Sequence, residues 1–374
     1  MKIKIKKEFK TEILVVGTGI AGLIATERAL KKRKRVCLVT NKKLCGGASY
    51  FPLKGTLGIQ VTKDKDDCER YYEDIVKMGN GMENPELIKT YISNIKNSLY
   101  LLNKIGFEPW LRKDSRPACF AKYSRDIYLI NNWKKAKERC KRKLKNHRGL
   151  NILENSTLVR IVTKDKRVVG AIFQCKQNFI FVKSKVIILA TGGVASNYKD
   201  SLYPEGINGI GHIAALDAGA IAQNMEFIQF IPAFLKPKYN VLFGEHTLKY
   251  CLGMYDLRNN LLLSGVDDEK NKELWIERSS YAPFSVDFKS HIIDLKIPTE
   301  GVSIKYSKEL YENKEEFYTV YLDWLKNDMG IDLLKDNIII SHFAHSCNGG
   351  IKIDEFARTG VNGLYAIGEV ASII

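Results

Sequence analysis

The sequence predicts an α/β fold in which buried strands alternate with helices, and three observations near the N-terminus carry this prediction. Residues 12–16 (EILVV) form a short, β-branched apolar run of the kind expected for a strand buried on both faces. An Ala/Leu-rich segment at 23–34 follows and predicts a helix. A second apolar run, RVCLVT at 35–40, then predicts the next strand of the same sheet.

Length and composition indicate a folded chain with more than one domain. Its 374 residues are 45% hydrophobic and 27% charged, which excludes disordered and collagen-like chains. A chain of this length predicts roughly two to three domains. The formal net charge of +17 bears on solubility and anionic partners rather than on fold. No apolar stretch approaches the ~18 residues that a membrane-spanning helix needs, so we expect a soluble protein.

The cysteines and the N-terminus indicate a cytoplasmic location. Eight cysteines are spread along the chain without a CxxC pair, which favours reduced thiols over a disulfide framework. The basic start MKIKIKK and the following apolar run imitate a secretory signal. However, Gly17, Gly19 and Gly22 interrupt that run, and no A-x-A-like cleavage site follows.

The segment GTGIAG at 17–22 joins the first strand to the first helix and predicts a Rossmann-like dinucleotide-binding turn. Gly17 permits the tight turn, Gly19 lets the backbone approach a pyrophosphate, and Gly22 lets the helix pack on the strand. The phosphates would meet the unpaired amides at the helix N-terminus, around Ile20 and Ala21.

The ribose position, about 20 residues further on, lacks the usual acid. Thr40 and Asn41 end the second strand, so a hydroxyl or an amide would meet the adenosine ribose. The next segment, 44–59, is rich in glycine, as expected where a flat ring packs closely against the backbone.

Seven sequence blocks in order along the chain resemble the flavoprotein-subunit family of fumarate reductase and succinate dehydrogenase, to which L-aspartate oxidase also belongs. They are VVGTGIAGLIA at 15–25, GGAS at 46–49, GNGMENPELI at 79–88, VIILATGGVA at 186–195, AGAIAQNMEFIQF at 218–230, AHSCNGGIKID at 344–354 and TGVNGLYAIGEVA at 359–371.

The resemblance implies FAD as the cofactor. Residues 41–59 contain no histidine for covalent flavin attachment, so we expect the FAD to be non-covalent. A carboxylate at Glu369 would accept hydrogen bonds from the ribityl hydroxyls, although an acid at a helix N-terminus is the alternative. The resemblance and the motifs together assign cofactor contacts to Gly17, Gly19, Ile20, Ala21, Gly22, Thr40, Asn41, Gly46, Gly47, Ala48, Ser49, Gly58, Ala190, Thr191, Gly192, Gly368 and Glu369.

The resemblance also implies an FAD-dependent oxidoreductase that moves a hydride between flavin and a small anionic dicarboxylate or amino-dicarboxylate. Its catalytic candidates here are His345, Glu245 and Thr247. Two alternatives stay open for His345. It could be a hydrogen-bonded structural histidine, or it could join His342 and Cys347 in a metal cluster, for which the sequence offers no further ligand set. We therefore expect no metal.

Three departures from the family pattern favour an alternative, a non-catalytic or fragmentary flavin-binding protein. Ile231 replaces a substrate-binding histidine, and Phe284 stands where the catalytic arginine is expected. Arg258 and Arg278 are the nearby candidates to replace that arginine. Relatives also continue into a flavin-facing helix, whereas this chain stops at 374, so the resemblance implies a C-terminally shortened chain.

Two basic runs, KKRKR at 31–35 and nine Lys and Arg within 133–148, are typical of solvated helix faces. The runs could also steer anionic substrates or FAD. We expect no nucleic-acid or membrane partner, because no recognition fold or stacking platform accompanies them. A small anionic substrate, an electron-transfer partner and a homo-oligomer remain as expected partners. Residues 1–215 and 335–374 are predicted to form a discontinuous FAD-binding domain, and 216–334 an inserted α+β capping domain.

Overall fold

The computed structural model describes residues 4–51, 53, 55–114, 117, 121–145, 147–280 and 287–372. Its helices are α1 Ile20–Lys31, α2 Lys65–Gly79, α3 Pro85–Lys104, α4 Trp133–Leu144, α5 Ile210–Asp217, α6 Asp268–Ser280, α7 His291–Lys296 and α8 Glu316–Trp324. Its strands are β1 Ile5–Lys10, β2 Ile13–Val16, β3 Val36–Val39, β4 Leu57–Val61, β5 Trp110–Leu111, β6 Asp126–Ile130, β7 Leu150–Leu153, β8 Ser156–Lys164, β9 Arg167–Cys175, β10 Asn178–Lys183, β11 Ile187–Leu189, β12 Ala222–Gln223, β13 Ile228–Lys236, β14 Val241–Leu242, β15 Cys251–Tyr255, β16 Val302–Tyr306, β17 Ile339–Cys347, β18 Gly350–Lys352, β19 Leu364–Ala366 and β20 Ala371–Ser372.

A five-stranded parallel sheet forms the centre of the nucleotide-binding part, in the order β19-β11-β2-β3-β7. Leu14 and Val15 on β2 are fully buried because the sheet is covered on both faces. Helix α1 packs on β2 and β3. The predicted α/β class, with its strand, glycine turn, helix and second strand, is therefore confirmed.

A second, five-stranded sheet has the order β14-β13-β17-β16-β15 and is antiparallel throughout. It has its own core, which includes Phe234, Phe243, Trp275 and Tyr318. Strand β17 begins after position 335, yet it pairs with β13 from the predicted capping segment. We propose that residues 1–215 with 335–374 form one domain and residues 216–334 the other, and that β17 joins the two.

Three smaller sheets complete the fold, in the orders β1-β10-β9-β8, β12-β18-β20 and β4-β6-β5. The third of these pairs β5 with β6, and just after β5 the Lys113 amide donates to the Glu316 carboxylate at 2.6 Å. None of the helices that the structure describes has the length and apolar character needed to cross a membrane.

The basic run at 133–148 behaves as predicted for a solvated helix face. Helix α4 buries Ala136, Cys140 and Leu144, which recur at helical spacing. Lys134, Lys135 and Arg142 point to solvent on the other side. The seven cysteines within the described part of the chain are free thiols.

His212 on α5 is a buried polar group, only 3% exposed, and neither ring nitrogen has a hydrogen-bond partner among the described residues. Burial lowers the pKa of His212, and the nearby Gly209 carbonyl only partly opposes that shift. His212 therefore binds a proton less readily in the folded protein than in the unfolded chain.

A group with a lowered histidine pKa contributes stability above its unfolded pKa and loses it as the pH falls. We expect His212→Leu to flatten the fall in free energy of unfolding between about pH 7 and 5, by at most about 1.4 kcal/mol per pH unit. Urea denaturation across this range measures the slope. His147→Gln, at an exposed position, is the matched control. Equal slopes for wild type and His212→Leu would contradict the prediction.

Candidate active site

The turn between β2 and α1 is held by close backbone contacts that only glycine permits. Gly17 has φ +114°, and a Cβ there would lie 2.1 Å from the Ala190 carbonyl oxygen. A Cβ on Gly22 would lie 2.1 Å from the Gly17 carbonyl oxygen. Gly19 is the N-cap of α1 and supplies no capping side chain. The Ile20 amide donates to the Ser49 hydroxyl at 3.1 Å, which fastens the glycine-rich segment 46–49 to the start of the helix.

A cavity of about 710 Å³ opens at this helix N-terminus. Of the residues predicted to contact the cofactor, all except Gly22 line it; Gly22 lies behind the wall, packed on Gly17. The lining members are Gly17, Gly19, Ile20, Ala21, Thr40, Asn41, Gly46, Gly47, Ala48, Ser49, Gly58, Ala190, Thr191, Gly192, Gly368 and Glu369.

Polar groups in this wall fit a dinucleotide. The Thr191 hydroxyl is buried and has no hydrogen-bond partner within the described residues. The Thr18 hydroxyl donates to that of Thr40 at 3.3 Å, which fastens the glycine turn to the end of β3. An amide-lined helix terminus beside hydroxyls suits a pyrophosphate and a ribose.

Glu369 lines the same cavity and already has protein partners. It accepts hydrogen bonds from the Tyr203 hydroxyl and from the Cys347 amide, the latter at 3.0 Å. A Cβ on Gly193 would meet its carboxylate. The carboxylate is therefore oriented by three neighbouring segments before any ligand binds.

Residues 205–210 are a part of the wall that the sequence analysis missed. The Asn41 amide donates to the Gly206 carbonyl at 2.7 Å, and Lys42 pairs with Glu205 at 3.6 Å. Gly206 and Gly209 both have positive φ, a conformation that favours glycine. This pair of glycines was the sequence signal that could have pointed to the segment. Helix α3 also contributes to this wall through Tyr91, Ile95, Ser98 and Leu102.

A second cavity of about 590 Å³ adjoins the first, and the two share Ala48, Leu57 and Gly58. Of the catalytic candidates, His345 and Glu245 line this second cavity. Thr247 does not, since it is fully buried and its hydroxyl contacts the Gly244 carbonyl at 2.7 Å and the Tyr306 hydroxyl at 2.8 Å.

His345 reaches the cavity from an irregularity in strand pairing. Gln229 pairs with Ser346 and Phe230 with Ala344, which leaves His345 as an extra residue on β17. Such bulges redirect a side chain. His345 Nδ1 lies 2.7 Å from the Gln229 side-chain oxygen, which accepts a hydrogen bond and leaves Nε2 as the acceptor nitrogen. Ile231 lines the same wall.

Glu245 belongs to a buried ion network behind the cavity. Arg278 donates to Glu245 at 2.9 Å and to Asp294 at 2.7 and 3.0 Å. Burial raises the pKa of Glu245 although Arg278 opposes the shift. Burial works in the same sense on Asp294, but hydrogen bonds from His342 and Arg278 lower the pKa of that carboxyl.

The two arginines proposed to replace the missing one do not line the second cavity. Arg278 is 2% exposed and held by its two carboxylates, and Arg258 is exposed in the turn after β15. Phe284 lies outside the described residues. His342 contacts Asp294 rather than His345, and no group of three metal-ligating side chains occurs in the described part of the chain.

Comparisons with known proteins show the family to which the chain belongs. A family model described as an FAD binding domain matches residues 12–246, more than half of the chain. The chain is 28% identical over 371 residues to an uncharacterized FAD-dependent oxidoreductase of Methanocaldococcus jannaschii, covering 96% of this chain and 66% of that protein. It is 25% identical over 390 residues to an L-aspartate oxidase of Clostridium acetobutylicum, covering 97% of this chain and 81% of that protein.

Among solved structures, the E. coli quinol fumarate reductase matches with a TM-score of 0.72 and 17% identity, over 98% of this chain and 66% of that one. The chain thus spans about two thirds of the length of several proteins that it matches. The predicted fold class is confirmed by this match. The chain belongs to the FAD-binding family, whose cofactor is FAD, and its relatives there include L-aspartate oxidases.

Proposed function

We propose that this protein is an FAD-dependent oxidoreductase of the fumarate reductase and L-aspartate oxidase type. It transfers a hydride between flavin and a small anionic substrate. The observation that carries the proposal is the pair of adjoining cavities that share Ala48, Leu57 and Gly58. A cofactor cavity that opens into a second cavity with a histidine and a carboxyl brings redox and proton chemistry together.

Residues of the first cavity hold the FAD. The amides at the start of α1 receive the pyrophosphate, Thr40 and Asn41 face the adenosine ribose, and Glu369 accepts hydrogen bonds from the ribityl chain. When bound, FAD supplies the hydride-transfer chemistry. The absence of histidine from 41–59 favours non-covalent attachment.

His345 and Glu245 serve the substrate from the second cavity. The Gln229 contact fixes the orientation of the His345 ring, and its Nε2 can accept a hydrogen bond or a proton. Glu245 places a carboxyl at the cavity wall, where burial raises its pKa and Arg278 opposes that shift. Thr247 supports this segment through its contacts with Gly244 and Tyr306 rather than from the wall itself.

Two observations favour a second candidate, a flavin-binding protein without catalysis. Ile231 occupies a wall position that a histidine fills in the family, and Arg278 is engaged by Glu245 and Asp294.

A cytoplasmic location, an electron-transfer partner and a homo-oligomer remain proposals that follow from the family resemblance.

Flavin redox chemistry tests the proposed function. We expect the purified protein to bind FAD and, after anaerobic photoreduction, to be reoxidised by an unsaturated carboxylic acid; conversely, the oxidised flavin is reduced by the matching saturated or amino acid. The flavin absorbance spectrum follows both directions. A flavin that no acid in a panel reduces or reoxidises favours the non-catalytic candidate.

Gly19→Val is expected to abolish FAD binding, because a Cβ at Gly19 already lies 3.2 Å from the Ser49 hydroxyl and the branched side chain fills the phosphate position. Equilibrium dialysis with FAD measures the loss, and circular dichroism checks that the variant is folded. Gly19→Ala, with one methyl group, should weaken binding less. Retention of FAD by a folded Gly19→Val protein would count against the turn as the phosphate site.

Glu369→Ala is expected to weaken FAD binding by about 1–3 kcal/mol, the scale of a lost charge-assisted hydrogen bond. Glu369→Gln is the matched control, because the amide keeps the shape and an oxygen acceptor for Tyr203 and Cys347. We expect its affinity to lie between those of wild type and Glu369→Ala. Unchanged FAD affinity in Glu369→Ala would refute the ribityl role.

A further inference from the structure

The wall of the second cavity has an apolar and aromatic part. Helix α8 contributes Phe317, Val320, Tyr321 and Trp324. Their spacing puts them on one face of the helix. The Tyr321 hydroxyl accepts from the Gly244 amide at 2.6 Å and donates to the Leu242 carbonyl at 3.1 Å. Its polar end is therefore engaged by backbone, and its ring is what faces the cavity.

Arg112 is the only lysine or arginine in this wall among the residues that the structure describes. It follows β5, and its amide donates to the Ile127 carbonyl at 2.9 Å, which continues the β5–β6 pairing. The next residue fastens the segment to the cap, since the Lys113 amide donates to the Glu316 carboxylate at 2.6 Å. The position of Arg112 relative to α8 is thereby fixed.

The guanidinium of Arg112 is buried, with a side chain only 3% exposed. The Asp114 carboxylate pairs with the Arg112 guanidinium at 3.1 Å, and the Arg112 Cζ lies 5.7 Å from the Phe317 ring centroid. Asp114 is not part of the wall. A buried guanidinium beside an aromatic ring is a site that matches the planar carboxylate group, and the low dielectric of such a cavity strengthens the attraction.

The remaining charges argue against a second carboxylate in the ligand. Glu245 is the only acidic side chain in the described wall, and Arg278 behind it is held by Glu245 and Asp294. A second carboxylate would lose its hydration and meet no further lysine or arginine among the described residues of the wall, which is unfavourable in an apolar site. An apolar group would instead pack against the face of α8.

We propose that this site takes a monocarboxylate with an apolar, aromatic-sized body, rather than a four-carbon dicarboxylate. Arg112 binds the carboxylate, and the face of α8 formed by Phe317, Val320, Tyr321 and Trp324 binds the body. This inference rests on the proposed function, because it names the substrate class of the same site. Arg112 is a specificity-determining residue in this assignment.

Ligand binding to the FAD-loaded protein tests the assignment by calorimetry and by the flavin difference spectrum. The probes are 3-phenylpropanoate, its uncharged amide 3-phenylpropanamide, and succinate. We expect 3-phenylpropanoate to bind at least about 10-fold more tightly than the amide, the scale of a charge-assisted hydrogen bond, and more tightly than succinate. This comparison needs no variant and so does not depend on how a substitution folds.

Arg112→Leu should remove the preference for the acid over the amide, and Arg112→Lys should keep part of it because the charge remains but the paired donors are lost. Lys113→Leu is the matched control, since its side chain is exposed and outside the wall. FAD content and thermal denaturation show whether each variant is folded. If Arg112→Leu does not fold, Arg112→Lys carries the test.

Three results would overturn the assignment: tighter binding of succinate, equal binding of the acid and the amide, or an acid preference that persists in folded Arg112→Leu. Anaerobic redox assays on the same samples separate this outcome from a failure of the proposed function. Reoxidation of the flavin by fumarate, together with tight succinate binding, would support the proposed oxidoreductase function and contradict the monocarboxylate assignment. A protein that binds no FAD at all would contradict the proposed function.

Discussion

The contact between Gly17 and Ala190 is the constraint on which the site depends. It leaves no room for a side chain between the turn after β2 and the end of β11. Because Gly22 packs in turn on Gly17, helix α1 is drawn against the sheet and begins directly above its carboxyl edge. Dinucleotides bind at that edge in parallel α/β sheets, so one close backbone approach places the phosphate-binding amides.

Strand β17 connects this cofactor region to the cap. At its end, the Cys347 amide donates to Glu369, which lines the first cavity. Two residues earlier, the bulge turns His345 into the second cavity, where Gln229 on β13 orients it. A single ladder between β13 and β17 therefore sets the spacing between a cofactor-binding carboxylate and a candidate catalytic histidine.

Two buried arginines near the second cavity differ in what they neutralise. Arg278 compensates Glu245 and Asp294 inside the cap, and removing it would leave two buried carboxyls without their main cation. Arg112 has Asp114 outside the wall and lies in the wall itself. The first arginine is thus tied to the internal charge balance of the cap, while the second lies where it can meet a ligand.

The cofactor half of the site was predictable from the sequence, since its demands are local. A strand, a turn that tolerates only glycine and a helix follow one another within a few residues, and the hydroxyl of Thr40 ends the next strand of the same sheet. The substrate half was predictable only in part: the expected His345 and Glu245 line the second cavity, but the rest of its wall comes from residues distant in the chain. The Lys113 amide and the Glu316 carboxylate that join β5 to α8 are 203 positions apart. Sequence proximity pointed to Arg258 and Arg278, whereas packing brought Arg112 to the wall. The sequence by itself determined an α/β chain with a dinucleotide-binding turn, because glycine turns carry their geometry in their own residues, and its resemblance to flavoproteins implied FAD. Only the tertiary structure decided which charge faces the second cavity, since that depends on contacts between segments that no local pattern relates.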